Sequence, residues 1–205
     1  GAMNDGVART VAQWIIPGAL GRYPNLAALQ ADYPHVTSTL QSLNWAAFQA
    51  GVNYLQDIGL AGGGTLFVPD GQYHIVGSVL QTRAANALRG GVDIVGAGRR
   101  GVWIFHEGPT TLFQAIGHPS AIGRQYTDLK VAGMTLLGNN TLGSVAIGHT
   151  LVSDPHYVDL HIEGFDYAWY LQDVDQAVFS ASMIQFNRRG LFARQDPLGP
   201  AVVPN

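Results

Sequence analysis

Cysteine is absent from the 205 residues. That excludes a disulfide framework, a thiolate metal site and a cysteine nucleophile, and it leaves the redox compartment open. Charge is scarce too: Asp, Glu, Lys and Arg together make 12% of the chain, about half the ~25% of an ordinary globular domain. Lys130 is the single lysine, and Glu107 and Glu163 are the two glutamates beside 12 aspartates. A formal net charge of -3 gives no electrostatic footprint for a nucleic-acid backbone. No apolar stretch reaches the ~18 residues of a membrane span before Gly, Pro or a charge breaks it. No basic stretch followed by an apolar one opens the chain as a signal peptide would. Neither nucleic acid nor membrane insertion is expected.

Apolar residues, at 47%, and glycine, at 26 residues, are plentiful. The first excludes a disordered chain, and the lack of a three-residue glycine period excludes a collagen-like one. The length suits one domain or two, with about 70% of the unfolded surface buried if compact. Gly1-Ala2-Met3 reads as a tag remnant. Residues 4–41 form an irregular opening segment punctuated by Pro17, Gly18, Gly21, Pro24 and Pro34, with a short helix over Leu26 to Ala31. Over 42–59, Trp45, Phe48, Val52 and Leu55 recur at spacings of 3, 4 and 3. That is one apolar stripe of an α-helix, started by Asn44 or Ser42 and stopped by Gly59.

From 60 to 205 the pattern changes. Gly62-Gly63-Gly64 leads into Thr65 to Pro69, then Asp70-Gly71 and Gln72 to Val76, which predicts strand, turn, strand. Short β-rich runs follow: Val92 to Val95, Val102 to Phe105, Leu129 to Leu137, Val145 to Ile147, Tyr157 to Ile162, Tyr167 to Leu171, Phe179 to Phe186 and Leu191 to Ala193. Sliding Tyr157–Asp173 by 22 residues onto Phe179–Gln195 pairs Tyr157 with Phe179, Ile162 with Ile184, Ala168 with Gly190, Trp169 with Leu191 and Leu171 with Ala193. A period of ~20 to 25 residues is that of a solenoid coil whose turns each add short strands to parallel sheets.

The run Asn44 to Asn53, followed by Gly62-Gly63-Gly64-Thr65-Leu66-Phe67-Val68-Pro69-Asp70-Gly71-Gln72-Tyr73, resembles the opening of the pectate-lyase-like right-handed parallel β-helix superfamily. Tyr33-Pro34-His35-Val36-Thr37-Ser38 resembles the stretch before that helix in bacteriophage tailspikes. The resemblance is specific over residues 33–76 and diffuse over 92–195. It implies an all-β fold, a right-handed parallel β-helix whose first coil is covered by a capping α-helix over 42–59. It also implies a homotrimer in a virion tail, contacting other tail proteins, that binds and depolymerises bacterial surface polysaccharide by glycosidic hydrolysis or β-elimination. Such enzymes carry many more coils, so the chain is expected to be the N-terminal piece of a longer β-helix. Two alternatives remain open: a non-enzymatic trimeric structural part of a tail fibre, and a secreted bacterial enzyme of the same superfamily.

The chemistry is sparse. Alternation over Tyr157 to Glu163 places Val158, Leu160 and Ile162 on one face and Asp159, His161 and Glu163 on the other. Neighbours two apart sit roughly 7 Å from each other, so Asp159 with His161, or His161 with Glu163, is within pairing range. Hydrolysis would use two carboxyl groups. Elimination would use His161 as base, with Arg188 or Arg189 neutralising a uronate. The plainer alternative is the wet face of a strand. Asp173 and Asp175, read as flanking Val174 in a turn, are second candidates, against ordinary turn aspartates. Tyr167 and Tyr170 are candidate sugar-binding aromatics or interface residues, with Trp169 inward and Tyr170 outward. No cofactor is expected: Gly96 to Gly101 is superficially similar to a dinucleotide fingerprint, but no helical stripe follows it. No metal is expected either, since His106-Glu107 has no third ligand at useful spacing.

Overall fold

The computed structural model describes residues 7–10, 23, 25–38, 41–58, 63–82, 91–118 and 126–195. Pro17, Gly18, Gly21, Pro24, Gly59 and the tail after Gln195 lie outside the described residues, as do residues 1–3. Asn25 caps the short helix α1 (Leu26–Asp32), its side chain accepting from the Ala28 amide at 2.9 Å. The second helix, α2 (Leu43–Ile58), starts one residue after Ser42, whose Oγ accepts from the Trp45 amide at 3.2 Å. Ser42 is therefore the N-cap, and Asn44 lies inside the helix. The stripe of Trp45, Phe48, Val52 and Leu55 is buried, as its spacing requires.

The strands are β1 (Val7–Thr10), β2 (Gly64–Val68), β3 (Gly71–Val76), β4 (Val79–Thr82), β5 (Val92–Gly96), β6 (Val102–Glu107), β7 (Thr111–Ile116), β8 (Tyr126–Thr127), β9 (Lys130–Gly138), β10 (Val145–Ser153), β11 (His156–Glu163), β12 (Tyr167–Asp175), β13 (Val178–Ser180), β14 (Met183–Gln185) and β15 (Arg189–Arg194). The fold is mostly β, and every pairing among the described residues is parallel. One sheet of nine strands runs β1-β2-β5-β9-β11-β13, with β3, β6 and β14 joined at its side; the other, of six, runs β15-β12-β10-β7-β4, with β8 on β10. Although β2 and β3 are separated by a two-residue turn, they do not pair with each other. They pair instead with β5 and β6.

The 22-residue offset read from the sequence is the ladder register: Tyr157 faces Phe179, Ile162 faces Ile184, Trp169 faces Leu191 and Leu171 faces Ala193. The large sheet is bent along a line of left-handed residues, Gly133 (φ 67°), Asp159 (φ 49°) and Ala181 (φ 50°). β11 accordingly pairs its first residues with β13 and its last with β14, and β9 divides likewise between β5 and β6. The bend breaks the alternation expected over Tyr157 to Glu163. Leu160 and Ile162 point inward as expected, but Tyr157 is fully buried and Val158 is not. Where the two wings of the sheet meet, Gly96 and Gly133 approach so closely that a Cβ on Gly96 would run into the Gly133 carbonyl oxygen.

Between the sheets lies a continuous core that includes Phe48, Leu66, Ile75, Ile104, Phe113, Met134, Tyr157, Ile162 and Trp169. At one end, among the described residues, β3 and β4 pair only with β6 and β7, so one backbone edge of each has no strand partner there. Side chains of and next to α2 cover that edge. Ser42 Oγ donates to the His74 carbonyl and accepts from the Val76 amide, at 2.7 and 3.2 Å. Trp45 Nε1 donates to the Ser78 carbonyl at 2.7 Å. Gln49 accepts from the Leu80 amide at 2.7 Å and donates to its carbonyl at 2.8 Å.

Candidate functional site

The bend decides which candidate residues meet. Asp159 sits at the bend itself, and Arg99 holds it there: Nε to Oδ1 is 3.1 Å, and Arg99 Nη1 goes on to donate to the Ala181 carbonyl at 3.3 Å. Arg99 comes from the glycine-rich turn between β5 and β6, which leads into a strand rather than a helix. Past the bend, His161 and Glu163 project together from the outer side of β11, with Nε2 to Oε2 at 3.4 Å. Gln185 on β14 bridges them, its Nε2 lying 2.9 Å from His161 Nε2 and donating to Glu163 Oε2 at 3.1 Å.

Ladder register shows what lies beside this pair. His161 is in line with Thr135 and Trp103, and Glu163 with Leu137, Phe105 and His74. On β6, Val102, Ile104 and His106 are buried, while Trp103, Phe105 and Glu107 face out. Trp103 is 40% exposed and is anchored by its Nε1 donating to the Arg100 carbonyl at 3.0 Å. Phe105 stacks on the His74 ring at 5.1 Å between centroids and 14° between planes, and His74 Nδ1 is 3.6 Å from Glu107 Oε1. Thr135 is recessed between Trp103 and His161, 3% exposed, its hydroxyl donating to the Arg99 carbonyl at 2.6 Å. The outer face of this wing is thus an apolar strip of Trp103, Phe105 and Leu137 with a His–Glu pair on either side. Trp103, Phe105, His74, Gln185 and Arg99 are absent from the sequence-based site. The period-2 pattern Trp103, Phe105, Glu107 against Val102, Ile104, His106 was the available signal.

The remaining candidates lie elsewhere. Tyr167 and Tyr170 are together on the outside of the six-stranded sheet, with ring centroids 5.7 Å apart, and Tyr170 stacks on Phe192 at 4.9 Å. Arg189 lies over the Tyr167 ring at 4.6 Å, and Arg188 Nε is 3.8 Å from the buried Asp166. Trp169 is inward and Tyr170 outward, as the alternation predicts. Asp173 and Asp175 belong to the end of β12 rather than to a turn, Asp173 in a left-handed bend at φ 51°. They line a cavity of about 280 Å³ with Val174, Phe179, Leu191 and Arg194.

The groups whose protonation the fold shifts are in the interior. Burial holds His149 neutral, its pKa pushed down to about 3, with its Nδ1 2.8 Å from the Tyr157 hydroxyl. Burial raises the Tyr157 phenol. His106 is also lowered by burial, and its ring stacks on Phe165 at 5.9 Å. Among the described residues no group of three His, Asp or Glu could hold a metal ion, and no helix is long and apolar enough to cross a membrane.

No family model and no curated protein matches the sequence. Among solved structures, the chain is similar to ORF18 of Geobacillus virus E2 over 92% of its own length and 40% of that chain, at 14% identity and a TM-score of 0.55. It is also similar to the A-module of the mannuronan C-5 epimerase AlgE4 of Azotobacter vinelandii over 71% of its length and 48% of that module chain, at 22% identity and a TM-score of 0.41. The chain therefore spans less than half of either structure. The viral structure shares its fold.

Proposed function

We propose that the chain is part of a right-handed parallel β-helix in a bacteriophage tailspike-type protein, and that the outer face of β6, β9, β11 and β14 binds bacterial surface polysaccharide. One observation carries this reading: an outward-facing apolar strip of exposed Trp103 and half-buried Phe105 and Leu137, on paired strands, runs between His74–Glu107 and His161–Glu163–Gln185. A sugar ring offers apolar C–H faces to such a strip and hydroxyls to the polar groups at its margins. The parallel ladders, the 22-residue register and the edge-covering helix support the β-helix. The tailspike resemblance adds the homotrimer, which light scattering of the purified chain reads directly.

Binding rather than cleavage is the activity this face supports. Hydrolysis needs two carboxyl groups flanking the bond, at most ~9.5 Å apart, but Asp159 is engaged by Arg99 at 3.1 Å, and Glu107 stands two strands across and two residues along from Glu163, roughly 12 Å by ladder spacing. Elimination needs a cation beside the uronate carboxylate, but Arg188 is directed at Asp166 and Arg189 covers Tyr167. The test is binding to capsule and lipopolysaccharide preparations by calorimetry, comparing the wild type with Trp103→Ala. Truncating a hot-spot aromatic should weaken binding at least tenfold, about 1.4 kcal/mol or more. Unchanged affinity in Trp103→Ala, with circular dichroism preserved, would remove the face from consideration.

A further inference from the structure

We infer that the glycan taken by this face carries no carboxylates, being neutral or amino-bearing, and that the face discriminates against polyuronates. This rests on the saccharide-binding reading above and concerns the charge of its ligand.

The free polar atoms of the face set the sign. Glu163 Oε2 accepts from Gln185 Nε2 at 3.1 Å and lies 3.4 Å from His161 Nε2. Its Oε1 has no partner among the described residues, and the side chain is 34% exposed. On the other side of the apolar strip, Glu107 meets His74 through Oε1 at 3.6 Å, and its side chain is 55% exposed. Both margins therefore present carboxylate oxygens, which only accept hydrogen bonds. Hydroxyl, amide and ammonium groups of a ligand satisfy them, whereas a carboxylate meets like charge.

Among the described residues no compensating cation stands on the strip. None of the outward positions of β3, β6 and β14, or of β9 and β11 past the bend, is lysine or arginine. Arg99 is engaged by Asp159 and the Ala181 carbonyl, and Arg188 by Asp166. Lys130 lies before the bend, its amide bonded to Asp93 Oδ1 at 2.8 Å. Among the described residues Arg100, exposed in the turn before β6, is the guanidinium nearest Trp103 in sequence. Its carbonyl accepts from Trp103 Nε1 at 3.0 Å. A uronate chain lying along the strip would still bring a carboxylate against Glu163 or Glu107 with the intervening water displaced by Phe105 and Leu137, where like charges repel most strongly.

The test measures binding of the intact chain to three probes of matched length: dextran oligomers (neutral), chitosan oligomers (amino) and alginate oligomers (uronate), each with the wild type, Glu163→Gln and Trp103→Ala. The expected result is binding to dextran or chitosan at least tenfold tighter than to alginate. Glu163→Gln should shrink that ratio several-fold by improving alginate binding, an effect that mere loosening of the fold cannot produce. The dextran and chitosan arms separate a hydroxyl-reading from an ammonium-reading face. Alginate bound as tightly as the other two, or a ratio unmoved by Glu163→Gln, would overturn the charge inference while leaving a sugar-binding face in place. Binding of no probe, or binding indifferent to Trp103→Ala, would overturn that face and the inference with it.

Discussion

The carboxamide of Gln49 satisfies both backbone polar groups of Leu80, accepting from its amide at 2.7 Å and donating to its carbonyl at 2.8 Å. A side chain on α2 thus stands in for the strand that β4 lacks on that edge. An open parallel edge is a template for unwanted pairing, and here it is closed by Ser42, Trp45 and Gln49, each bonded to backbone of the segment 74–80.

Gln49→Leu should therefore leave a partly buried amide and carbonyl without their side-chain partner while preserving helix propensity and volume. The expected loss is about 2 to 4 kcal/mol of unfolding free energy, read from urea titrations, with more aggregation at high protein concentration. A loss below about 0.5 kcal/mol would show that water replaces the carboxamide at no cost.

Acid should destabilise the fold through His149. Burial lowers its folded-state pKa to about 3 from the model-peptide value of 6.5, so the unfolded chain takes up a proton that the folded chain refuses. The contribution to stability is whole above 6.5 and is lost as pH falls from 6.5 toward 3, at up to ~1.4 kcal/mol per pH unit. His106, lowered by burial as well, acts in the same direction. Urea midpoints between neutral and mildly acidic pH should fall more steeply for wild type than for His149→Gln, which keeps an acceptor for Tyr157 without titrating. Equal slopes would refute the assignment.

Two glycines should respond differently to alanine. At Gly96 the added Cβ meets the backbone oxygen of Gly133, which belongs to a paired strand and cannot move alone. Gly96→Ala should cost at least ~3 kcal/mol. At Gly148 the added Cβ lies 2.8 Å from Thr111 Cγ2, a methyl group on a rotatable side chain. Gly148→Ala should cost about 1 kcal/mol. Thermal melts of the two variants side by side check the order.

Asp159 tests strain against charge. Its pair with Arg99 is about two-fifths exposed on each side, so screening keeps the pair's contribution at or below about 1 kcal/mol. Its backbone is left-handed at φ 49°, a conformation glycine adopts freely and a β-branched residue resists. Asp159→Gly should be nearly neutral, and Asp159→Val should lose about 2 kcal/mol. Chemical denaturation of both separates the two contributions.

Legibility in the sequence followed periodicity. The α2 stripe was readable because Trp45, Phe48, Val52 and Leu55 repeat locally, and the last ladders because Tyr157 and Phe179 stand at the same offset as Trp169 and Leu191. The outer face was not readable in this way. Trp103 faces Thr135 at an offset of 32, Thr135 faces His161 at 26, and His161 faces Met183 at 22. No single slide of the sequence brings these rows together, because loops of different length leave the chain between passes. The bend at Asp159 was hidden for another reason: a left-handed backbone at a residue other than glycine has no strong compositional mark. Ser42 and Asn44 were both legible as caps, and Ser42 takes the role because its Oγ reaches the Trp45 amide and two groups of β3 at once.

The ladders also bear on assembly. Every pairing joins passes of the chain 22 to 57 residues apart, as from Tyr157 to Phe179 or from Val7 to Gly64. Loop-closure entropy grows only with the logarithm of such a span, so each pass can dock on its predecessor for a similar modest cost. The sheets can then grow like a zipper from the end that α2 already holds, with each finished pass offering the template for the next. A lesion near that held end, such as the loss of Gln49, would slow the whole zipper. One near β15 would leave the earlier passes to close at their normal rate.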